Sequence, residues 1–370
     1  MQELNYKRDV TVIDFGLSTE QEQRAGELHD SLIVFDSLME CSWYDEFIDN
    51  CVKGGGTAGN LSIGITGMHN FTEGGTSTKE NWWSWQALVN DLAGFPDIVR
   101  KHSDRIIQCD TAADISTAKA EGKVGLMLGT QNTVFMDRDL DRLNMAYNMG
   151  LRIVQLTYNT INFLGAGAME KEEAQFGLSA LGESAVARMN ELGMLVDTGH
   201  SSSPTLMAAI DASSKPIACT HAGVRSICNQ PRSQTDEALT KLADHGGVFG
   251  VVSTPQALNG QVRCTVHDYL DSIEYAINLM GIDHVGFGTD FVIPASLAQI
   301  LAAPEWGREA VERVGDFDMV WPWSDGHEGM ENNAGDPNLT RGLVARGYSD
   351  EDIAKVMGGN WLRLIEETVG

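Results

Sequence analysis

His200 and His221 stand 21 residues apart, and each closes an apolar run, GMLVDTGH and KPIACTH. Apolar runs that end in a ligand-type side chain, twice in succession, suggest strands delivering imidazoles to one rim of a parallel barrel. Two imidazoles at one rim are the start of a divalent-metal site, and a third oxygen ligand would leave a position open for water. Asp290 closes the glycine-rich run VGFGTD, where a carboxylate beside a bound water is a natural general base. Arg232, in NQPRSQTDE, carries a planar guanidinium suited to clamping a carboxylate. A surface ion pair for Arg232 and a turn-capping role for Asp290 stay open as the plainer readings. Read in order, the strand ends supply Asp36, Gln131, Tyr158, His200, His221 and Asp290. His29, His69, His102, His245, His267 and His284 read instead as hydrogen-bonded core or surface residues.

The elements that must position these groups alternate along the chain. LIVFD (32–36) and LSIGITGM (61–68) read as strands, and NWWSWQALVNDLAGFPDIVRKH as an amphipathic helix. TAADISTAKAEG is a capped helix stopped by Gly122, followed by the strand KVGLMLGT and the helix DLDRLNMAYNMG. The rhythm continues through LRIVQLTY, MLVDTGH, PIACTH, VFGVVS and HVGFGTD, with a helix between each pair. Strands joined by helical crossovers are parallel. About eight such units predict a (β/α)8 TIM barrel, with a doubly wound open sheet as the alternative. The chain of 370 residues is expected to be a single barrel domain over 1–370. A Trp- and Pro-rich stretch (293–338) reads as a long rim loop, and 339–370 as C-terminal helices. Ser349, with Asp352 three residues on, opens the last of these helices.

Composition narrows the partners. Asp plus Glu number 52 against 26 Lys plus Arg, a formal charge of −26. Nucleic acid and anionic membrane surfaces are bound through cationic side chains, so neither is expected. Six cysteines without a CxxC pair read as free thiols. With no long apolar stretch at the N-terminus, the expected location is the cytoplasm.

Several stretches together resemble one family. GMLVDTGHSSSPT, then KPIACTHAGVRSICNQPRSQTDEALTKLADHGGVFGVV, the HVGFGTD strand and the C-terminal LTRGLVARGYSDEDIAKVMGGNWLRLI are similar to renal (membrane) dipeptidases, peptidase family M19. The resemblance runs in order over most of the chain, and GGNWLR is its most specific element. It implies an amidohydrolase-type barrel, often dimeric, with a two-zinc site that hydrolyses dipeptides. It assigns His200 and His221 to the second metal, Arg232 to the substrate carboxylate and Asp290 to the acid/base role.

The same resemblance shows what is replaced. The family's D-G-H-x-D stretch is Asp36-Ser37-Leu38-Met39-Glu40 here. Its metal-bridging glutamate aligns with Gln131, and the histidine of its L-T-H-N stretch with Tyr158. Leu38 cannot ligate, and a neutral amide supplies no bridging charge. The expectation is therefore one divalent ion (Zn2+ or another) on His200, His221 and Glu40, or none. Gln131 and Tyr158 would then bind substrate by hydrogen bonds. Three functions remain open: a one-metal hydrolase of a small amide or dipeptide; a lyase, isomerase or metal-free hydrolase using Tyr158, Glu40 and Asp290 for proton transfer; and a non-catalytic binding protein. A small-molecule substrate and a homodimer are the expected partners.

Overall fold

In the computed structural model of the chain, which describes residues 9–39, 45–64, 83–261, 263–291 and 327–370, the apolar runs pair in sequence order. The strands are β1 (Phe35–Met39), β2 (Ala58–Ser62), β3 (Ile106–Gln108), β4 (Val124–Thr130), β5 (Leu151–Gln155), β6 (Leu195–Asp197), β7 (Ala218–Val224), β8 (Ser233–Gln234), β9 (Val248–Val252), β10 (Cys264–Thr265), β11 (Val285–Gly288) and β12 (His327–Glu328). The main sheet runs β1-β2-β4-β5-β6-β7-β9-β11, parallel throughout. This is the eight-strand, nearly closed barrel with helical crossovers. The short β3, which sequence periodicity does not reveal, pairs with the first half of β4, and β5 pairs with the second half.

Side chains close the seam between β1 and β11. The Asp290 N–H donates to the Leu38 carbonyl at 3.2 Å. The Ser37 hydroxyl lies 2.7 Å from the Phe287 carbonyl and 2.5 Å from that of Thr220. Asp36 is the second residue of β1 rather than a rim residue, and its work is structural. It accepts from the Thr289 N–H at 2.8 Å, the Leu38 N–H at 3.1 Å and the Asn333 amide at 3.1 Å. Burial pushes this carboxyl up to about 6, with the Thr289, Leu38 and Asn333 bonds opposing.

The helices begin where capping chemistry says they should. Ser84 caps α1 (Trp85–Lys101), Thr111 and Asp114 form a capping box on α2 (Ala112–Glu121), and Thr265 with Asp268 does so on α3 (Val266–Met280). Near the C-terminus, a helix spans Asp336–Ala345. Ser349 caps the next helix, accepting from the Asp352 N–H at 3.1 Å.

The GGNWLR stretch plugs the barrel floor. Asn360 donates to the carbonyls of Ile282 and Val285, both at 2.8 Å. Trp361 packs 6.2 Å from Phe35 between ring centroids, in a cluster with Leu364 and Ile365. A methyl group on Gly286 would sit 2.2 Å from the Trp361 indole nitrogen, so only glycine leaves room there.

Of the Trp-rich stretch, residues 292–326 lie outside the described residues. His327–Glu328 pairs in parallel with β10. The five described cysteines, Cys51, Cys109, Cys219, Cys228 and Cys264, are free thiols. Among the described residues no helix is long and apolar enough to cross a membrane.

Candidate active site

The barrel brings His200, His221, Tyr158, Arg232 and Asp290 together at one end. They arrive from different depths. His221 lies within β7, Gln131 one residue past β4, and Asp290 two past β11. Tyr158 and His200 stand three residues past β5 and β6, in turns rather than at strand ends. Glu40 lies outside the described residues.

The two imidazoles are 4.8 Å apart between centroids and inclined at 64°. Both are buried, and burial first, then the Arg232 charge, holds each well below the usual histidine range. They are therefore neutral, and their neighbours fix the tautomer. The Thr220 hydroxyl donates its single proton to Asp197 Oδ2 at 2.7 Å. It must then accept from His221 Nδ1, 2.8 Å away. His200 Nδ1 donates to Asn159 Oδ1 at 2.7 Å. In both rings the lone pair is left on Nε2, and neither Nε2 has a hydrogen-bond partner among the described residues. A carboxylate or amide oxygen that orients an imidazole through its distal nitrogen is the usual support of a metal-binding histidine.

Asp197, Thr220 and Asn159 were not anticipated from sequence. The carboxyl of Asp197 also accepts from the backbone N–H groups of Thr220 at 2.9 Å and Gly199 at 3.0 Å. Burial raises it to about 6, so it is an anion at neutral pH. Its place three residues before His200, and that of Thr220 just before His221, are the signals that were available.

Arg232 is no surface ion pair. It is half-buried; it donates to the Gly199 carbonyl and, at 3.0 Å, to that of His221. Burial lowers the guanidinium from its usual value, and the nearby Asp290 and Tyr158 oppose that. It thus ties both histidine-bearing segments to the side of the site that holds Asp290.

Asp290 itself takes a left-handed backbone, φ 51°, which a short polar residue tolerates better than a bulky one. Tyr158 stacks on His200 at 3.9 Å and 23°, and Trp83 packs on Tyr158 at 4.4 Å. Gln131 is buried, and its amide nitrogen donates to the Ser62 hydroxyl at 3.0 Å.

Among the described residues, the side chains at this rim offer donors suited to one ion and lack those of a second. Two neutral imidazoles with unshared, buried lone pairs suit a divalent cation. The counterpart positions offer an apolar Leu38, itself buried, and the neutral amide of Gln131. Among the described residues no group of three or more His, Cys, Asp or Glu side chains could hold a metal.

Fold and rim together define a (β/α)8 barrel of the amidohydrolase type. A family model described as membrane dipeptidase (peptidase family M19) matches residues 70–318. The dipeptidase aclJ of Aspergillus oryzae is 27% identical over 286 residues, 75% of this chain and 61% of that protein. The chain spans about three fifths of the length of the curated relatives it matches. A solved amidohydrolase from Pseudomonas aeruginosa is 31% identical, with a TM-score of 0.80 over 94% of this chain and 99% of that one. The probable dipeptidase PvdM of the same organism shares the fold at a TM-score of 0.75, with 21% identity over 95% and 99% of the two chains. The chain belongs to the membrane dipeptidase family, peptidase family M19.

Proposed function

We propose that this protein is a hydrolase of a small amide- or dipeptide-type substrate that works with one divalent ion, Zn2+ or a close relative, held by His200 and His221. The observation that carries this reading is the pair of buried, facing imidazoles whose partners leave both Nε2 lone pairs unshared. When bound, such an ion supplies Lewis-acid polarisation of the scissile carbonyl.

The chain's own groups do the rest. The Asp290 carboxylate takes the proton from the attacking water and returns it to the leaving amine. Arg232 has five N–H donors, of which two serve Gly199 and His221. The other three are available for a substrate carboxylate, which a guanidinium holds as a fork. Gln131 offers a hydrogen-bonding amide, and Tyr158, held between Trp83 and His200, walls one side of the site and presents a phenol near Arg232. Glu40 is a candidate third ligand on the strength of its carboxylate. The free cysteines support a reducing compartment such as the cytoplasm, and the family resemblance supports a homodimer.

The stacking of Tyr158 on His200 favours a second reading, in which Tyr158 and Asp290 transfer protons on a non-peptide substrate. A panel of dipeptides and N-acyl amino acids, assayed with Zn2+, Co2+ or Mn2+ added, separates the two. The one-ion hydrolase predicts turnover that chelator abolishes and that His221→Ala lowers more than about 100-fold. Metal-insensitive activity, or exchange of substrate C–H protons in D2O without hydrolysis, supports the second reading instead.

A further inference from the structure

Gln155, the last residue of β5, plays no part in the family resemblance. It is fully buried and lies beside Asp197 in the sheet register. Its carboxamide nitrogen donates to the Gln131 carbonyl and, at 2.9 Å, to that of Thr157. With both amide hydrogens engaged, the group cannot turn over. Its Oε1 is left with no hydrogen-bond partner among the described residues. A buried amide oxygen without a donor is costly and rare.

That oxygen lies near the ring of His221. A methyl group built on Gly199 would lie 2.8 Å from Gln155 Oε1 and 2.8 Å from both Cε1 and Nδ1 of His221. The amide oxygen and the imidazole thus flank the same spot beneath Gly199, which has to be glycine to leave it open. Three buried acceptor atoms of these side chains lack a donor among the described residues: His200 Nε2, His221 Nε2 and Gln155 Oε1. None carries a charge, and a cation is a partner that suits such acceptors.

We propose that Gln155, in place of Glu40, is the third ligand of the single ion, giving an uncharged nitrogen, nitrogen, oxygen set. This inference rests on the one-ion reading above. An uncharged set offsets none of the ion's charge, so binding should be weaker and more readily reversed by chelators than at a carboxylate-bridged site.

Titration of the metal-free full chain with Co2+, followed by calorimetry and by the visible cobalt bands, tests it. The wild type should take up one Co2+ per chain and His221→Ala none. Gln155→Ala should bind about tenfold or more weakly, and Gln155→Glu, which adds a charge at the same atom, about tenfold or more tightly, with altered cobalt bands. Tighter binding cannot come from a damaged fold, so Gln155→Glu decides the matter if Gln155→Ala proves unstable by circular dichroism. One Co2+ in the wild type, with affinity unchanged in whichever of the two variants is folded by circular dichroism, overturns the role of Gln155 and leaves the one-ion reading standing. No Co2+ uptake by the wild type overturns that reading, and this inference with it.

Discussion

The proton on Thr220 decides what His221 can do. Because Asp197 takes that proton, His221 must donate through Nδ1 and keep its Nε2 lone pair. Thr220→Val removes the relay without removing a ligand. Metal affinity should fall about 10- to 100-fold while the protein stays folded, as read by metal competition and circular dichroism. Arg232 gives a second test, because lysine keeps the charge but loses the fork. Arg232→Lys should lose about 1.5–3 kcal/mol of transition-state binding, read as a drop in kcat/KM on substrates with a free carboxylate, and much less on amidated ones. At this scale the sequence exposed His200, His221, Arg232 and Asp290, because ligand-type residues after apolar runs stand out. Asp197, Thr220, Asn159 and Gln155 did not stand out, since buried polar residues on strands read as core until their partners are known.

Strands and turns divide the labour of presenting these groups. His221 is rigid within β7, whereas Tyr158, His200 and Asp290 sit in turns just past their strands. Asp290 is the most constrained, since its backbone N–H closes the seam to Leu38 while its φ is 51°. Asparagine tolerates that backbone and lacks the charge. Asp290→Asn should therefore leave the melting temperature nearly unchanged while lowering kcat by about 100-fold or more. A melting temperature that falls with the activity would make Asp290 a structural residue. The barrel floor behaves oppositely. Gly286→Ala collides with Trp361 and should destabilise by about 1–3 kcal/mol or more in denaturant titration, with the chemistry of the folded fraction unchanged. Most elements were legible from hydrophobic period and caps. The three-residue β3 is too short to show a period; the runs ending at Tyr158, His200 and Asp290 overrun their strands by two or three residues, because the segments that follow are largely buried too, and those ending at Asp36 and His221 stop three residues short of theirs.

Across the whole molecule, buried carboxyls and net charge act in one direction and buried histidines in the other. Burial pushes Asp36 and Asp197 up to about 6 and Asp91 up to about 7. Between their ordinary values near 4 and these raised values, the folded chain holds protons that the unfolded chain releases. These three groups therefore lower stability as pH rises through that window, and the 52 acidic side chains add self-repulsion on the same side, while His200, His221 and His327, held low by burial, oppose them because their contribution is lost as pH falls below their ordinary value. The carboxyls of Glu22, Asp45 and Asp283, lowered first by hydrogen bonds from Arg341, Arg105 and Lys355, titrate below it. Asp91→Asn removes one of the raised carboxyls, so it should raise the denaturant midpoint at pH 8 relative to that at pH 5.5, compared with the wild type; an unchanged difference between the two pH values would contradict this.

The central proposal is that His200 and His221 hold one ion where the family resemblance implies two. It is tested most directly by counting ions, by elemental analysis of protein reconstituted with excess Zn2+ and then dialysed. One ion per chain in the wild type and none in His221→Ala is the predicted result. Two ions per chain, or one that survives His221→Ala, would contradict it.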